Sequence, residues 1–501
     1  MSPLTFAIFL LLLGSIIWTL MPKKGRKLVL PPGPRSLPLI GNFYMLGSRP
    51  HRALENLAKK YGPIMSLRLG QVPTIVVSSS QTAELFLRTH DAVFASRPIF
   101  QASEIIGMSK GIAFSDYGPY WRSLKKLIAS QLLSASKIES FAPMRKELVG
   151  SLVQSLKKAA VAHEVVDLSE KVGKLIEEST RRMVFGRSHY HRFDLKALIE
   201  ETLNMMVMGF FNLADYVPYL GALDLQGLTP RIKKIGKTLD VVLENIIQEH
   251  EQIPCGPQSC EKDFMDILLS LMNQPMNPSD ENSCKIDRRV IKGIFIDLIT
   301  ATYDTSAFII EWTISELLRH PRIMKHVQDE LERVIGMNRM VEETDVANLT
   351  YLSMVIKESF RLHPVAPFLI PRESMEDIEI SGYYIPKKSL VIINSWAIGR
   401  DPHVWSDNVE EFYPERFINS NIDLKGRDFQ LIPFGSGRRG CPGLQLGLTT
   451  VTYVLAQLLH CFDWVLPNGM LPNDLDMSEK FGLSMPRAKH LLAMPTYRLL
   501  G

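Results

Sequence analysis

Residues 434–443 read FGSGRRGCPG, and the fold turns on what this stretch is. Two patterns overlap in it. Gly435, Gly437 and Gly440 spell G-x-G-x-x-G, the spacing that brings a backbone close to a pyrophosphate. A helical run, LQLGLTTVTYVLAQLLH (444–460), and Asp463 complete that dinucleotide fingerprint. Only residues 464–501 remain beyond it, too few for the other strands of a doubly wound sheet. Phe434, Gly437, Arg439, Cys441 and Gly443 form the second pattern, F-x-x-G-x-R-x-C-x-G. Five fixed residue types at ordinary frequencies arise by chance in roughly one chain in 10⁴ of this length. The second pattern therefore carries the weight.

The chain around it has 501 residues, of which 46% are hydrophobic and 22% charged. That is a globular composition, and it excludes global disorder and collagen-like or mucin-like chains. Lys+Arg number 57 against 53 Asp+Glu, a formal +4. A dedicated nucleic-acid binder would show a stronger basic excess, so no nucleic-acid partner is expected. Five cysteines (Cys255, Cys260, Cys284, Cys441, Cys461) are too few and too odd for a disulfide scaffold and fit a reducing compartment. Three of them fall in the Pro/Ser/Asn-rich stretch 254–288, which holds a short apolar patch, Phe264 to Met272, and reads as a surface excursion rather than a domain boundary. No C-x2-C pair there supports zinc.

At the other end, Leu4 to Met21 reads LTFAIFLLLLGSIIWTLM without a charge. As a helix it rises about 27 Å, close to the hydrocarbon thickness of a bilayer. Lys23, Lys24, Arg26 and Lys27 come directly after it. A cleaved signal peptide would carry its charge before the apolar run, so residues 1–22 read as a single-pass transmembrane anchor. The basic flank keeps the rest of the chain in the cytosol. Residues 23–42 form a basic, proline-rich hinge, stiffened by PPGP (31–34).

Residues 43–501 read as one large domain. Apolar residues at helical spacing predict helices over 50–61, 170–185, 194–208, 230–251, 287–320 and 321–335. Short β-branched or alternating runs predict strands at 64–69, 74–78, 378–385 and 390–394. The fold class is mainly α with small β-sheets, and no repeat of 20–50 residues is present.

The loop at Cys441 resembles the haem-thiolate loop of cytochromes P450. The resemblance implies a haem b held by the Cys441 thiolate. Gly437 and Gly443 would turn the loop tightly against the macrocycle, with Phe434 beside it, and Arg439 would neutralise a propionate. Other motifs fall in the family's order. Glu358 and Arg361 form E-x-x-R in KESFRLHP (357–364), and Arg416 in FYPERF (412–417) supplies the third member of a structural network. E-x-x-R alone says little, since Glu178/Arg181, Glu316/Arg319 and Glu330/Arg333 match it too. ATYDTS (301–306) resembles the oxygen-activation motif, with Thr302 where glycine is usual. By that resemblance Thr305 hydrogen-bonds the oxygen and Asp304 helps to deliver protons. Trp121 and Lys125 in GPYWRSLKK (118–126) resemble W-x-x-x-R with lysine replacing arginine, and Arg372 would be a further propionate partner.

The style of FNLADYVPYLGALDLQG (211–227) and of MPRAKHLLAMPTYRL (485–499) is similar to the large plant microsomal group. The similarity implies a monooxygenase of the endoplasmic reticulum membrane, inserting one atom of O2 into a small lipophilic terpenoid or phenolic. Electrons would come from NADPH only indirectly, through NADPH–cytochrome P450 reductase. Arg122, Lys126 and Arg438 are candidate contacts for that acidic partner. By family position the substrate would meet Phe114, Met208, Ala301, Val365, Phe368 and Leu483, nearly all apolar. The alternative is rearrangement or dehydration, of an aldoxime for example, without net oxygen insertion. Thr302 is its only hint.

Overall fold

A computed structural model describes residues 29–186, 195–252, 262–276 and 284–500. The expected anchor, Cys255 and Cys260 lie outside the described residues. The principal helices are α1 (Pro50–Tyr61), α2 (Gln101–Ile106), α3 (Pro119–Leu127), α4 (Ala142–Val161), α5 (Leu168–Phe185), α6 (Leu195–Gly209) and α7 (Leu228–Gln252). They continue with α8 (Phe264–Ser270), α9 (Arg288–Thr302), α10 (Thr305–Arg319), α11 (Pro321–Ile335), α12 (Thr350–Leu362) and α13 (Leu444–Cys461). The strands are short: β1 (Ile64–Leu69), β2 (Val72–Val77), β3 (Val166–Asp167), β4 (Arg372–Glu373), β5 (Ile378–Ile380), β6 (Tyr383–Ile385), β7 (Leu390–Ile393), β8 (Phe462–Val465) and β9 (Leu492–Tyr497).

One sheet runs β1-β2-β7-β4, with β2 parallel to β7 and the other pairs antiparallel. A second runs β3-β9-β8. The run predicted as one strand over 378–385 is a hairpin, β5–β6. Ser381 at φ 53 and Gly382 at φ 79 turn it, two successive left-handed residues of the kind that match strand twist. The fold is mainly helical with small sheets, as expected.

The apolar residues gather into two large cores. One holds the inner faces of α6, α7, α8 and α9, including Met206, Ile246, Met265 and Phe295. The other holds α10, α11, α12 and α13, including Ile310, Leu331, Val355 and Leu458. The stretch 287–320 passes from the first core to the second, and it is not the single helix its spacing predicts. Tyr303 N–H closes α9 on Ile299 O, and α10 restarts with Phe308 N–H on Asp304 O. Thr300, Thr302 and Thr305 donate their hydroxyls back to the carbonyls of Ile296, Leu298 and Ala301. Such bonds compete for the helix's own acceptors and bend it, which accounts for the break. A second correction concerns 254–288. Its apolar patch is α8, capped reciprocally by Asp263 and Asp266, with Phe264, Met265 and Leu268 buried. It is a core element and not a surface excursion.

Candidate active site

The stretch 434–443 folds as a tight loop ahead of α13. Cys441 N–H donates to Phe434 O at 2.8 Å, and Gly440 N–H to Gly437 O at 3.1 Å. Gly435 and Gly437 both stand at φ +69. A Cβ on Gly437 would lie 2.3 Å from Leu87 O and 2.7 Å from Asp91 Cγ, so no side chain fits there. The Phe434 ring packs on Phe360 of α12 at 5.1 Å. Protein surrounds Cys441 closely, yet its sulfur stays open, so it faces an interior cleft and not bulk solvent. Burial pushes its thiol up. The Gly443 amide and the Lys125 charge oppose that rise, as does the positive end of α13.

Beside the loop lie three buried guanidinium groups: Arg97 (5% exposed), Arg372 (3%) and Arg439 (8%). Arg372 pairs with Asp91 at 2.9 Å and donates to Ser436 O at 2.7 Å. Arg439 donates to Ala95 O, Ile112 O and Ser115 O, and lies 4.3 Å over the Trp121 ring. Arg97 donates to Ala113 O, Ile370 O and Pro371 O. Burial holds Arg439 down to about 9, with Arg372 adding to the fall, and Arg97 is lowered by burial, Arg439 and Arg372. Two buried carboxylates, Asp91 and Asp297, are close enough to act on this trio. Cations so crowded want an anion, and a macrocycle with two propionates supplies it. The donor set fits a haem: one open thiol, a glycine loop and surplus buried cations.

Lys125 Nζ lies 5.2 Å from the Trp121 ring and donates to Arg438 O. Arg438, a candidate contact for an acidic partner, is tied to Asp91 at 3.0 Å and to the Tyr117 hydroxyl at 2.9 Å while its side chain stays exposed. Asp91 also accepts Arg438 N–H at 2.8 Å, so it joins the loop to Arg372. Asp91 and Arg97 went unseen in the sequence. Their one signal is a charged residue set in apolar surroundings, as in FASRPIF (94–100).

Glu358 and Arg361 are fully buried on α12. Two parallel bonds of 2.8 Å join them, and Arg416 Nε reaches the same carboxylate at 2.9 and 3.1 Å. Arg361 also donates to the carbonyls of Gly399, Val409 and Glu411. Arg416 donates to Trp405 O and Asn408 O. The network stitches α12 to the segment before the cysteine loop.

On the other side stand Asp304, between the two helices, and Thr305 at the start of α10, which packs on α13. Thr305 Oγ1 is bonded to Ala301 O at 2.9 Å. Burial pushes the Asp304 carboxyl up to about 6, and Glu200 on α6 adds to the rise while Lys196 opposes it. An apolar cleft is lined by Leu54, Phe210, Phe211, Phe368, Phe481 and Leu483, among others. Phe481 meets Phe368 at 5.8 Å and Phe211 at 6.3 Å, and Phe114 meets Phe210 at 6.0 Å. Leu369, beside Phe368, comes within 3.7 Å of where a Cβ on Gly435 would sit, so this wall runs past the cysteine loop. Four expected contacts do not line this cleft. Phe114 is buried in the first core and meets the cleft through Phe210. Met208 is 42% exposed and does not line the cleft, where Val207 does. Val365 is buried in the second core, its carbonyl accepting Met485 N–H. Ala301 is open but is not among the residues lining this cleft. Phe481 was missed, since nothing in its spacing marks it.

The family profile described as Cytochrome P450 matches residues 31–494. The chain is similar to Cytochrome P450 CYP736A12 of Panax ginseng, 57% identical over 100% of each chain. It is 40% identical to the desmethyl-deoxy-podophyllotoxin synthase of Sinopodophyllum hexandrum, over 99% of this chain and 96% of that one. It is 38% identical to the flavonoid 3'-monooxygenase CYP75B137 of Crocosmia x crocosmiiflora, over 98% and 97%. The chain belongs to the cytochrome P450 monooxygenase family.

Proposed function

We propose that this enzyme inserts one oxygen atom from O2 into a small, uncharged, lipophilic plant metabolite, a terpenoid or phenolic, and that Cys441 is the residue that would hold the haem. The family's cofactor is a haem held by a cysteine thiolate, which when bound supplies the activation of O2. The observation that carries the reading is the exposed Cys441 in its glycine loop, with three buried arginines around that loop and the wall of an aromatic-lined cleft passing it at Leu369.

Each side chain then has its task. Arg97, Arg372, Arg439, Trp121 and Lys125 hold the propionate side. Phe368, Phe481 and Leu483 orient the substrate and exclude water. Thr305 Oγ1 keeps its proton on Ala301 O, one residue from the Asp304 carboxyl, which near 6 exchanges protons readily at neutral pH. The flavonoid 3'-monooxygenase among the relatives makes a phenolic substrate reasonable.

Electrons come from NADPH through cytochrome P450 reductase. Arg122 and Lys126 are exposed on α3, the helix that also carries Trp121 and Lys125. They present charge to an acidic partner. The apolar run 4–21 seats the enzyme on the endoplasmic reticulum with its catalytic domain in the cytosol. Exposed Leu37, Leu39, Ile40 and Tyr44 support that seating, as do Tyr219, Leu223 and Leu225. The turn between β1 and β2 ties these two segments to one face, Gly70 N–H bonding Ile40 O and Gln71 bonding Tyr216 O and Tyr219 Oη.

The test is turnover of candidate substrates by the full-length enzyme with reductase in membranes, under isotopically labelled O2. One labelled oxygen in the product, matched by NADPH consumed, is expected. A dehydrated or rearranged product without label would contradict the proposal.

A further inference from the structure

Phe481, the wall residue that spacing does not mark, stands in a loop closed at its base. Glu479 pairs with Arg487 as an antiparallel bridge, and Lys480 N–H donates to Pro486 O at 3.0 Å. A Cβ on Gly482 would lie 2.7 Å from Ser484 O, so the chain turns tightly straight after Phe481. Within the cleft the Phe481 ring meets Phe368 and Phe211. Its remaining ring neighbour is His51, in the first turn of α1. Those two rings are stacked, 5.6 Å apart at their centroids and 8° from parallel.

His51 is fully buried, and its ring is oriented by more than this stack. Its Nε2 lies 3.3 Å from Glu479 Oε1. Arg52 grips the same carboxylate twice, at 2.7 Å from Nε and 3.0 Å from Nη2. Burial raises the Glu479 carboxyl, but the bonds from His51 and Arg52 outweigh it and hold the group down to about 2. The carboxylate is therefore ionised and only accepts, which puts a proton on His51 Nε2. The Trp396 ring lies edge-on to the imidazole at 4.7 Å, and Asn394 Nδ2 donates to His51 O at 3.2 Å. His51 Nδ1, by contrast, has no partner among the described residues. Burying an imidazole with one nitrogen unanswered disfavours the folded state relative to an apolar ring, so packing alone does not explain a histidine here. An imidazole offers together what no apolar side chain does: a flat face for Phe481 and an in-plane donor for the carboxylate at the base of the Phe481 loop.

We infer that His51 is a positioning residue for substrate: seated by Glu479 and Trp396, its imidazole backs the Phe481 ring and sets that ring in the wall of the cleft. Arg52 keeps Glu479 in place, so the start of α1 and the loop 479–487 move as one unit. The stacked face carries most of the effect, and the bond to Glu479 refines it. The inference rests on the proposed reading that Phe481 orients the substrate.

The test uses the purified full-length holoenzyme and two azoles, imidazole and clotrimazole, followed by their spectral shifts. Imidazole reports the ligand position, and the aromatic rings of clotrimazole report the wall. His51→Ala is expected to weaken clotrimazole by about fivefold, the worth of one ring contact. Imidazole affinity and the reduced carbonyl-complex spectrum should stay unchanged. Two further variants separate the contacts of the imidazole. His51→Phe keeps a ring on Phe481 and should recover clotrimazole affinity to within about twofold of wild type. His51→Gln keeps a donor for Glu479 without the ring and should bind as weakly as His51→Ala. It carries the same prediction where the alanine variant fails to hold haem. Phe481→Ala should reproduce the loss, and the double variant His51→Ala/Phe481→Ala should add nothing to it.

Unchanged clotrimazole affinity in His51→Ala would overturn the inference, as would additive losses, equal weakening of both azoles, or recovery by glutamine and not by phenylalanine. Failure of the underlying reading looks different: Phe481→Ala would leave clotrimazole binding untouched, or wild type itself would show no preference for clotrimazole over imidazole.

Discussion

Two regions of the molecule are built on opposite principles. Around Glu358, Arg361 and Arg416 every charged group meets a partner at ordinary bond length, and the cysteine loop is pinned by Asp91 and its own glycines. Away from that network, a helix breaks at Asp304, whose carboxyl is held above its ordinary range, and Asp297, beside the arginine trio, keeps an unanswered oxygen. The Glu358 network is satisfied bond by bond, while the arginines beside the cysteine loop keep surplus cation charge. A metal ligand must be held at one distance, whereas a substrate wall must admit, turn and release, so satisfaction is concentrated where geometry cannot vary.

The contrast predicts unequal responses. The largest effect belongs to Glu358→Ala, which leaves two arginines buried without an anion and should cost about 3–5 kcal/mol. Thermal unfolding and haem content of the purified protein would check it, and a variant within error of wild type would deny the network its role. Gly437→Ala comes next. A left-handed φ and a clash with Leu87 O should cost about 1–3 kcal/mol, read as lost haem content at normal expression.

On the opposite side the expected changes are in rate and affinity, with the fold kept. Asp304→Asn should slow turnover by roughly tenfold to a hundredfold with ligand affinity unchanged. With the carboxyl near 6, wild-type turnover should fall as pH drops through 6 and the group takes up its proton. The variant should lack that inflection. The sign for stability is opposite: a carboxyl held above its ordinary value stabilises the fold while protonated and loses that contribution as pH rises through 6. Phe481→Ala should weaken aromatic ligands by about fivefold, the worth of one ring contact. The smallest effect is charge reversal at Arg122 and Lys126. It should slow reduction by reductase mainly at low salt and leave substrate binding alone, as stopped-flow at two ionic strengths would show.

Legibility divides along the same line. Helices 50–61 and 321–335 match their predicted bounds because proline opens each and a left-handed glycine, Gly62 or Gly336, closes it. The helix expected over 287–320 is two, because apolar spacing does not register hydroxyls bonding back along a turn. The apolar patch that forms α8 was visible, but its helix was not, because an Asp–Asp capping box looks like polar loop sequence. At the site, the cysteine loop and the Glu358 network were readable because their residues are close in sequence or fixed in order. The wall was readable in part: Phe368 and Leu483 were expected from the resemblance, whereas Phe211 and Phe481, from two further segments, are brought to it by folding alone. Arg97, Asp91 and Asp297 had no motif either, only a charge placed among apolar neighbours.

The most direct measurement is the reduced carbonyl-complex spectrum of the purified full-length protein beside its Cys441→Ser variant. A thiolate-type band in wild type that vanishes in the variant, together with turnover, is the predicted result. A variant that keeps that band and its activity would contradict Cys441 as the metal's ligand.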